Sequence, residues 1–505
     1  MSSRLTHAAH APQTPVRRIL WYVETSGLPV AILFFLFLLW RAPHQMPGDF
    51  DYDEGINLAK TMLVSQGHSL YAEIWSDQPP LLTHLLVGWF KFFGSSVEQA
   101  RLLIMLFSSL LVGALYSASR HLPFVRPHLA LAGVLLLVTS AFYLRLSGAI
   151  MVGLPALAVA TLAVAVLAHG REQLWRRVLS ALLLAVAIQI KLLAAVAAPA
   201  LIAYLLVAPN GSFWQIEPRH GLRRLAEWAA VLLGAFLAIG WATGSLRIDQ
   251  LLAPHLETQG QSFQLESPAF FLDFLLNHPG HLLLAVWAIS WGWRARRRVV
   301  ILPTVWFFTA CAAILFHRPL WYHHVLLLTI PLAWLGVFGL WRLEEFLRRP
   351  RRWIAPPWRQ VLAVGLLALV IALVGWRPAP LSSRLEEQMS IYRPLYVWEM
   401  RQQLQADAGN RGPDDRGYVF TDRPFYAFEA GLPVPPPIAV LSRKRMETGA
   451  ISEADMVGAL TNYTVYFAVL ERFSGQYPPA VMEILARDYE EVLVIEPAHY
   501  YRRRP

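Results

Sequence analysis

Long apolar stretches separated by short polar segments dominate the first three quarters of the chain. A helix of about 20 apolar residues spans a bilayer, so each stretch is a predicted membrane-crossing helix. The eleven predicted spans are residues 19–40, 100–118, 127–144, 149–168, 177–192, 193–208, 226–244, 280–293, 299–316, 325–341 and 360–376. The apolar stretch 177–208 exceeds one crossing and contains Lys191 and Pro199, so it is counted as two spans. The pattern predicts a polytopic α-helical membrane domain over residues 1–376.

Residues 377–505 have a different pattern, with short alternating runs and no long apolar stretch. Period-two alternation and helical periodicity are the signals used here for strands and for helices. The predicted strands are 417–421, 463–470 and 491–496, and the predicted helices are 385–408, 453–461 and 478–489. We expect this part to form a small C-terminal α/β domain.

Composition supports a membrane protein and excludes a single soluble globule, a disordered chain and a coiled coil. Apolar residues make up 56% of the chain and charged residues only 15%, against roughly 25% charged residues in soluble domains. The net charge of +10 comes mostly from arginines in short segments between spans. Their positions between spans indicate how the chain is oriented in the membrane and do not form one basic face. Nucleic acid is therefore not an expected partner. The positive-inside rule predicts a multi-pass protein with a cytoplasmic N-terminus and an extracytoplasmic C-terminus. The large excess of arginine over lysine favours a bacterial plasma (inner) membrane as its location.

The first outer loop, residues 41–99, is too long for a simple connection. Its acidic residues are Asp49, Asp51, Asp53, Glu54, Glu73, Asp77 and Glu98. Amphipathic helices are predicted over residues 53–63 and about 81–93. Asp53 and Glu54, at the start of the first helix, fit two interpretations. They cap the helix, or one of them is a general base that takes a proton from an acceptor hydroxyl.

Four short motifs occur in order in and after this loop: Asp53-Glu54, Gln78-Pro79-Pro80, Phe93-Gly94 and Ala100-Arg101-Leu102. With them, the membrane part resembles membrane glycosyltransferases of the GT-C fold. The resemblance is to the group of protein O-mannosyltransferases and the lipid A aminoarabinose transferase (glycosyltransferase family 39 and its bacterial relatives). It implies an enzyme in the bilayer that transfers a hexose or pentose from a polyprenyl-phosphate donor to a lipid, glycan or protein acceptor outside.

The resemblance also implies roles for individual residues. Asp53 is expected as the catalytic base or acceptor anchor, with Glu54 as a second catalytic acid that supports it or binds a metal ion. Arg101 is expected to hold this acid and is also a candidate substrate-binding residue. Gln78 is a candidate substrate-binding residue, although some members of the group have Lys at this position. Arg145, near an outer turn, is a candidate for contact with the donor.

Other candidates for binding the donor phosphate lie at predicted outer ends of helices, where positive charge and hydrogen-bond donors are needed. Lys191 is expected either to extend to the interface or to bind phosphate. Residues 317–324 fit either an interfacial aromatic belt or a donor site. In the second interpretation Arg318 neutralises phosphate, and the hydrogen-bond donors that accompany it are Tyr322, His323 and His324.

A divalent metal ion is an open question, with Glu54 and His255 as weak candidate ligands. The spacing around His255 does not match a compact zinc motif, and these residues also fit a solvated loop. Two other functional classes stay open: a lipid or sugar transporter or flippase, and a non-catalytic envelope assembly protein. A transporter would place ionisable groups near the middle of broken helices, whereas here they cluster towards one face.

Overall fold

The protein is described by a computed structural model. The described residues are 25–46, 48–122, 124–140, 142–207, 216–253, 267–294, 298–317, 320–348, 361, 365, 372, 395–411, 417–442, 445–446 and 449–505. The predicted span 360–376 therefore lies almost wholly outside the described residues, as do residues 1–24.

Helices occupy each of the other ten predicted spans. We number the α-helices of five or more residues in chain order. In the membrane part they are α1 Leu28–Arg41, α2 Tyr52–Ser65, α3 Leu81–Phe93, α4 Val97–Arg120, α5 Pro127–Val138, α6 Gly153–Ala168, α7 Leu174–Ile190, α8 Ala198–Leu206, α9 Pro218–Ala242, α10 Ser267–Asn277, α11 Pro279–Arg294, α12 Ile301–Phe316 and α13 Leu326–Arg348. Single turns at Tyr143–Leu146 and Ile248–Leu251 lie between them.

Not all of these helices are long enough to cross a bilayer by themselves. Four segments of the described chain have the length and apolar composition for a crossing: Leu28–Gln45, Val97–Arg120, Pro218–Ala242 and Tyr322–Phe346. A fifth crossing results if α10 and α11, bent by 92°, form one span. Several other predicted spans are apolar helices of 10–17 residues. The helical class of the membrane part is thus confirmed, and the count of eleven crossings stays a prediction.

The predicted break in the stretch 177–208 is confirmed at Lys191. Helix α7 ends at Ile190, Lys191 is extended (φ −152°, ψ 123°), and the chain continues as a 3₁₀-helix over Leu192–Ala197 before α8. The Lys191 side chain lies where helices α6 and α7 and the 3₁₀ turn Tyr322–Val325 converge.

Residues 395–505, here called the C-terminal module, have a hydrophobic core of their own. Their elements are α14 Leu395–Gly409, β1 Tyr418–Thr421, α15 Phe425–Glu429, α16 Glu453–Thr461, β2 Val465–Leu470, α17 Pro479–Asp488, β3 Tyr489–Ile495 and β4 Ala498–Arg503. The sheet order is β1-β2-β4-β3, with β1 parallel to β2 and the other two pairs antiparallel. The three predicted strands are confirmed, and β4 is an additional one.

The C-terminal module packs on the first loop through α15. The Phe425 side chain is fully buried and belongs to the core of the membrane part. A Cβ atom at Gly55 of α2 would lie 2.5 Å from the backbone nitrogen of Phe425, so glycine permits this close approach. The Phe428 ring contacts Phe90 of α3, with 6.0 Å between centroids. Both amphipathic helices of the loop therefore contact the module.

Candidate functional site

The start of α2 places the two adjacent acids of the first loop in different surroundings. Asp51 is the N-cap, and its carboxylate accepts a hydrogen bond from the Asp53 backbone N–H at 3.0 Å. Capping is thus done by Asp51, two residues earlier than expected. Successive helical residues are rotated by about 100°, so Asp53 and Glu54 point in different directions. Asp53 faces a pocket, and Glu54 faces the protein interior.

Glu54 accepts hydrogen bonds from three partners, and its side chain is fully buried. Arg101 of α4 donates to it from Nη2 at 2.7 Å and from Nε at 3.3 Å. The backbone N–H groups of Phe50 and Ile150 donate at 2.7 and 2.8 Å. Glu54 is therefore saturated, and it fastens the loop to α4 and to the turn at residue 150. This geometry does not support the expected roles of Glu54 as a catalytic group or metal ligand.

Arg101 is also fully enclosed by protein. Besides Glu54, its guanidinium donates to the backbone carbonyls of Met46 and Gly48, and it lies 4.7 Å from the centroid of the Phe50 ring. The sequence predicts that Arg101 holds the catalytic acid and contacts substrate. The structure instead pairs it with Glu54, in a position that holds residues 46–54 in place and does not line the pocket.

Asp53 lines a pocket with an empty volume of about 270 Å³, here called the Asp53 pocket. Its lining residues are Asp53, Leu146, Met151, Val152, Gly153, Leu154, Lys191, His323 and Leu326. Among them Asp53 is the single carboxylate, Lys191 the cation, and the rest are apolar apart from His323. A second cavity shares Gly153, Lys191 and His323 and extends to His324. The structure therefore brings together Asp53, Lys191 and both histidines, which the sequence analysis had selected separately.

Burial and neighbouring charges together determine the protonation of Asp53. Burial, with the negative charges of Asp51 and Asp77, raises the pKa of its carboxyl group to about 6, although the positive charges of Arg472 and Lys191 act in the opposite direction. A carboxyl group that titrates near neutral pH can accept a proton from a hydroxyl and release it again. Perturbed carboxyl groups in a cleft are typical of functional sites.

A second set of polar contacts supports the pocket near Asp51. The Tyr322 hydroxyl donates a hydrogen bond to Asp51 at 2.9 Å. The Arg145 guanidinium lies 5.3 Å from the centroid of the Tyr322 ring and donates to the backbone carbonyl of Phe50. Arg145 and Tyr322 thus fix the N-cap of α2, one step away from the pocket lining.

The remaining predicted residues have less direct relations to the pocket. The backbone carbonyl of Gln78 accepts hydrogen bonds from the Tyr71 and Ser76 hydroxyls, at 2.9 and 3.0 Å, and its side chain is not in the pocket lining. His324 is buried, and its Nδ1 accepts a hydrogen bond from the Trp321 backbone N–H at 3.2 Å. Arg318 and His255 lie outside the described residues. Within the described part of the chain, no three His, Cys, Asp or Glu side chains form a metal-binding group.

Sequence reasoning missed two cations near Asp53. Lys60 is 3% exposed and lies two turns along α2 on the same side as Asp53, a spacing of seven residues that could have indicated it. Burial lowers the pKa of Lys60, and the carboxylates of Asp77 and Asp53 oppose this. The other cation, Arg472, belongs to the C-terminal module, and no local pattern in the sequence joins it to the loop.

Comparisons with known proteins concern the fold of the chain. Residues 77–241 match the family model described as dolichyl-phosphate-mannose-protein mannosyltransferase. The structure is similar to that of ArnT from Cupriavidus metallidurans bound to undecaprenyl phosphate, at a TM-score of 0.61 and 14% identity, covering 95% of this chain and 97% of the other. For the apo state of the same protein the TM-score is 0.59, with 14% identity and coverage of 96% and 98%. No curated protein matches the chain in a sequence search.

A third structural match is the Archaeoglobus fulgidus oligosaccharyltransferase in complex with zinc and sulfate, at a TM-score of 0.53 and 12% identity, covering 95% of this chain and 73% of the other. The likeness extends over nearly the whole chain in each case. The chain has the GT-C fold. This confirms the resemblance predicted from the loop motifs, and it gives the C-terminal module of the GT-C chain a counterpart in the matched structures.

Proposed function

We propose that this GT-C protein transfers a sugar from a polyprenyl-phosphate donor to an acceptor hydroxyl on the extracytoplasmic side of the membrane. The observation that carries the proposal is the Asp53 pocket, whose otherwise mostly apolar lining contains one carboxylate, Asp53, and one ammonium group, Lys191. The ArnT structure that resembles this chain holds undecaprenyl phosphate, which supports a lipid-phosphate donor here.

The proposed reaction uses the pocket groups as follows. The acceptor hydroxyl gives its proton to Asp53 while its oxygen forms a bond to the anomeric carbon of the sugar. The bond from that carbon to the phosphate oxygen breaks, and its electron pair leaves with the polyprenyl phosphate. Since the leaving group gains negative charge, groups fixed near it lower the barrier. We assign this role to Lys191 and His323, and attack opposite the leaving group inverts the anomeric centre.

His323 provides a further argument for a ligand in this pocket. Its Nδ1 is buried and has no hydrogen-bond partner among the described residues. A buried polar atom without a partner is costly, so a ligand oxygen that accepts or donates there would remove the penalty. Leu146, Met151, Val152 and Leu154 make the lining beside these groups apolar, and charges interact more strongly in such surroundings than in bulk water.

The location of the site supports the proposed sidedness. Asp53 and Lys191 lie at the ends of helices, next to the first loop and the C-terminal module, as expected for an extracytoplasmic site in a protein with a cytoplasmic N-terminus. The position of Asp53 outside the long apolar helices argues against a transport site at the bilayer centre. The acceptor class, whether lipid, glycan or protein, stays open in the proposal.

The test is sugar transfer from a labelled polyprenyl-phosphate sugar pool in membranes, compared between wild type and Asp53→Asn. General base catalysis contributes roughly 10²- to 10⁴-fold, so the variant is expected to lose transfer by that factor at unchanged protein level. Asp249→Asn is the matched control, because Asp249 is an exposed acid whose ion pair is with Arg247, which is exposed as well. Transfer by Asp53→Asn at the wild-type rate would remove Asp53 from the mechanism. Absence of transfer by the wild type with every donor tried would favour the transporter or assembly functions.

A further inference from the structure

The C-terminal module reaches the first loop with two consecutive charged residues that follow β2. Glu471 accepts a hydrogen bond from the Tyr52 hydroxyl at 3.4 Å. Arg423 forms ion pairs with both Glu471 and Asp49 of the loop, and all three side chains are almost fully buried. These contacts fix the module against residues 49–52, immediately before Asp53. Arg472 directly follows Glu471 in the chain.

The backbone around Arg472 is held on both sides. Asp422, 1% exposed, accepts hydrogen bonds from the backbone N–H of Glu471 at 2.9 and 3.1 Å and from that of Phe473 at 2.8 Å. A buried carboxylate with several N–H donors is a rigid anchor. Arg472 is therefore presented from a fixed turn, unlike an arginine on a free loop.

The Arg472 side chain lies against the loop but has no ionic partner there. Its guanidinium carbon is 4.7 Å from the centroid of the Tyr52 ring and 5.1 Å from that of Phe473. Its Nη1 is buried and has no hydrogen-bond partner among the described residues. The neighbouring Arg423, by contrast, is paired with two carboxylates. Among the described residues, Arg472 is thus a cation of this interface without a carboxylate partner, and it lies beside Tyr52, the residue that precedes Asp53.

We propose that Arg472 is a positioning residue which the C-terminal module contributes to the Asp53 pocket, where its charge keeps the Asp53 carboxylate ionised while the donor is bound. The inference rests on the proposed function, and it gives the module a part in the active site. The groups that interact electrostatically with Asp53, or line its pocket, are Asp51, Asp77, Lys60, Lys191, Tyr322, His323 and Arg472.

The need for a second cation follows from the proposed role of the first. Lys191 stabilises the Asp53 carboxylate in the free enzyme, but a donor phosphate bound at Lys191 neutralises that charge and adds negative charge close to Asp53. Both changes favour protonation of Asp53 at the moment when it must accept a proton. Arg472 approaches from the module and not from the membrane helices, so its charge stays available when the donor is bound.

The experiment measures the pH dependence of sugar transfer in membranes by the full-length protein. We expect Arg472→Gln to move the acid limb of the profile to higher pH by roughly one unit, the effect of losing one nearby opposite charge. At a pH well above that limb, the rate is expected to return close to that of the wild type. Arg472→Lys restores the charge and is expected to return the limb towards the wild-type position.

Two further variants make the test decisive. Arg472→Met keeps the apolar stem against Tyr52 but lacks the charge, and it replaces Arg472→Gln if that variant accumulates poorly. Arg487→Gln removes an exposed arginine of the same module, 70% exposed, and is expected to leave the profile unchanged. An acid limb that stays in place in both Arg472→Gln and Arg472→Met would overturn the proposal, whether or not the maximal rate falls. If the wild-type protein transfers no sugar, that result would instead count against the proposed function.

Discussion

Replacing Glu54 with Gln tests whether Glu54 has a structural role, in contrast to the reactive role proposed for Asp53. The change keeps the size of the side chain and removes its charge. In the wild type, Glu54 accepts two hydrogen bonds from Arg101 and two from backbone N–H groups, at 2.7–3.3 Å. A glutamine amide has one accepting oxygen, so its NH₂ group would face some of these donors.

The cost follows from burial, since neither Glu54 nor Arg101 has solvent access. Removing one partner of a buried ion pair costs about 3–5 kcal/mol, because the other charge stays buried without compensation. Against a folding free energy of about 5–15 kcal/mol, this is a large loss. We expect Glu54→Gln to accumulate poorly in membranes and to unfold at a clearly lower temperature after purification in detergent.

The assay is thermal unfolding of the purified protein, together with the amount of inserted protein in membranes. Glu98→Gln is the matched control, because Glu98 is an exposed acid of the same loop in the first turn of α4, a position worth about 0.3–1 kcal/mol. The reasoning is refuted if Glu54→Gln unfolds like the control and yet loses sugar transfer. Glu54 would then be a reactive group, and Asp53 the structural one.

Four other results are expected. Sugar transfer by the wild type should fall as the pH drops below about 6, because the pKa of Asp53 is raised to about 6 and its protonated form cannot accept a proton; initial rates at a series of pH values check this. Lys191→Gln should weaken donor binding by roughly 10- to 100-fold, the equivalent of about 1.5–3 kcal/mol for a charge-assisted hydrogen bond, with Lys191→Arg less affected, as measured by donor KM. Tyr322→Phe should lower the rate of sugar transfer, because it removes the 2.9 Å hydrogen bond from the Tyr322 hydroxyl to Asp51, the N-cap of α2. The pH dependence of the rate checks this, since the acid limb of the profile should shift. Gly55→Ala should loosen the C-terminal module, since its Cβ would meet the Phe425 backbone at 2.5 Å; limited proteolysis of purified protein would show faster release of the module.

Sequence patterns predicted the helices well because they depend on local periodicity. The apolar runs located ten helices, and Lys191 marked the break between α7 and the 3₁₀ turn after it. Strand β4 was missed because its sequence is polar and arginine-rich, and its pairing with β2 and β3 is a tertiary property. The number of crossings could not be read from the same runs, since several apolar helices are shorter than a bilayer is thick.

Site residues could be predicted where the residue type indicates the chemistry and the predicted topology puts the residue on the outer side of the membrane. Asp53, Lys191 and His323 come from three distant segments, and the structure brings them into one pocket. The partner of Arg101 was not predictable, because a sequence cannot show which of two adjacent acids points inward. Arg472 was missed for a related reason: its relation to Asp53 depends on docking of the C-terminal module, more than 400 residues along the chain.

The different roles of Asp53 and Glu54 follow from their positions in the first turn of α2. Asp51 takes the capping role, so neither of the next two acids is needed for it. Glu54 is rotated towards α4, where Arg101 and two N–H groups fix the position of its carboxyl group. Because that anchor holds the first turn of α2, Asp53 is held in the pocket without a hydrogen-bond donor to its own carboxylate among the described residues. A base that must take up a proton needs this arrangement: a rigid backbone, a carboxylate that no protein donor occupies, and charges at a distance that set its pKa.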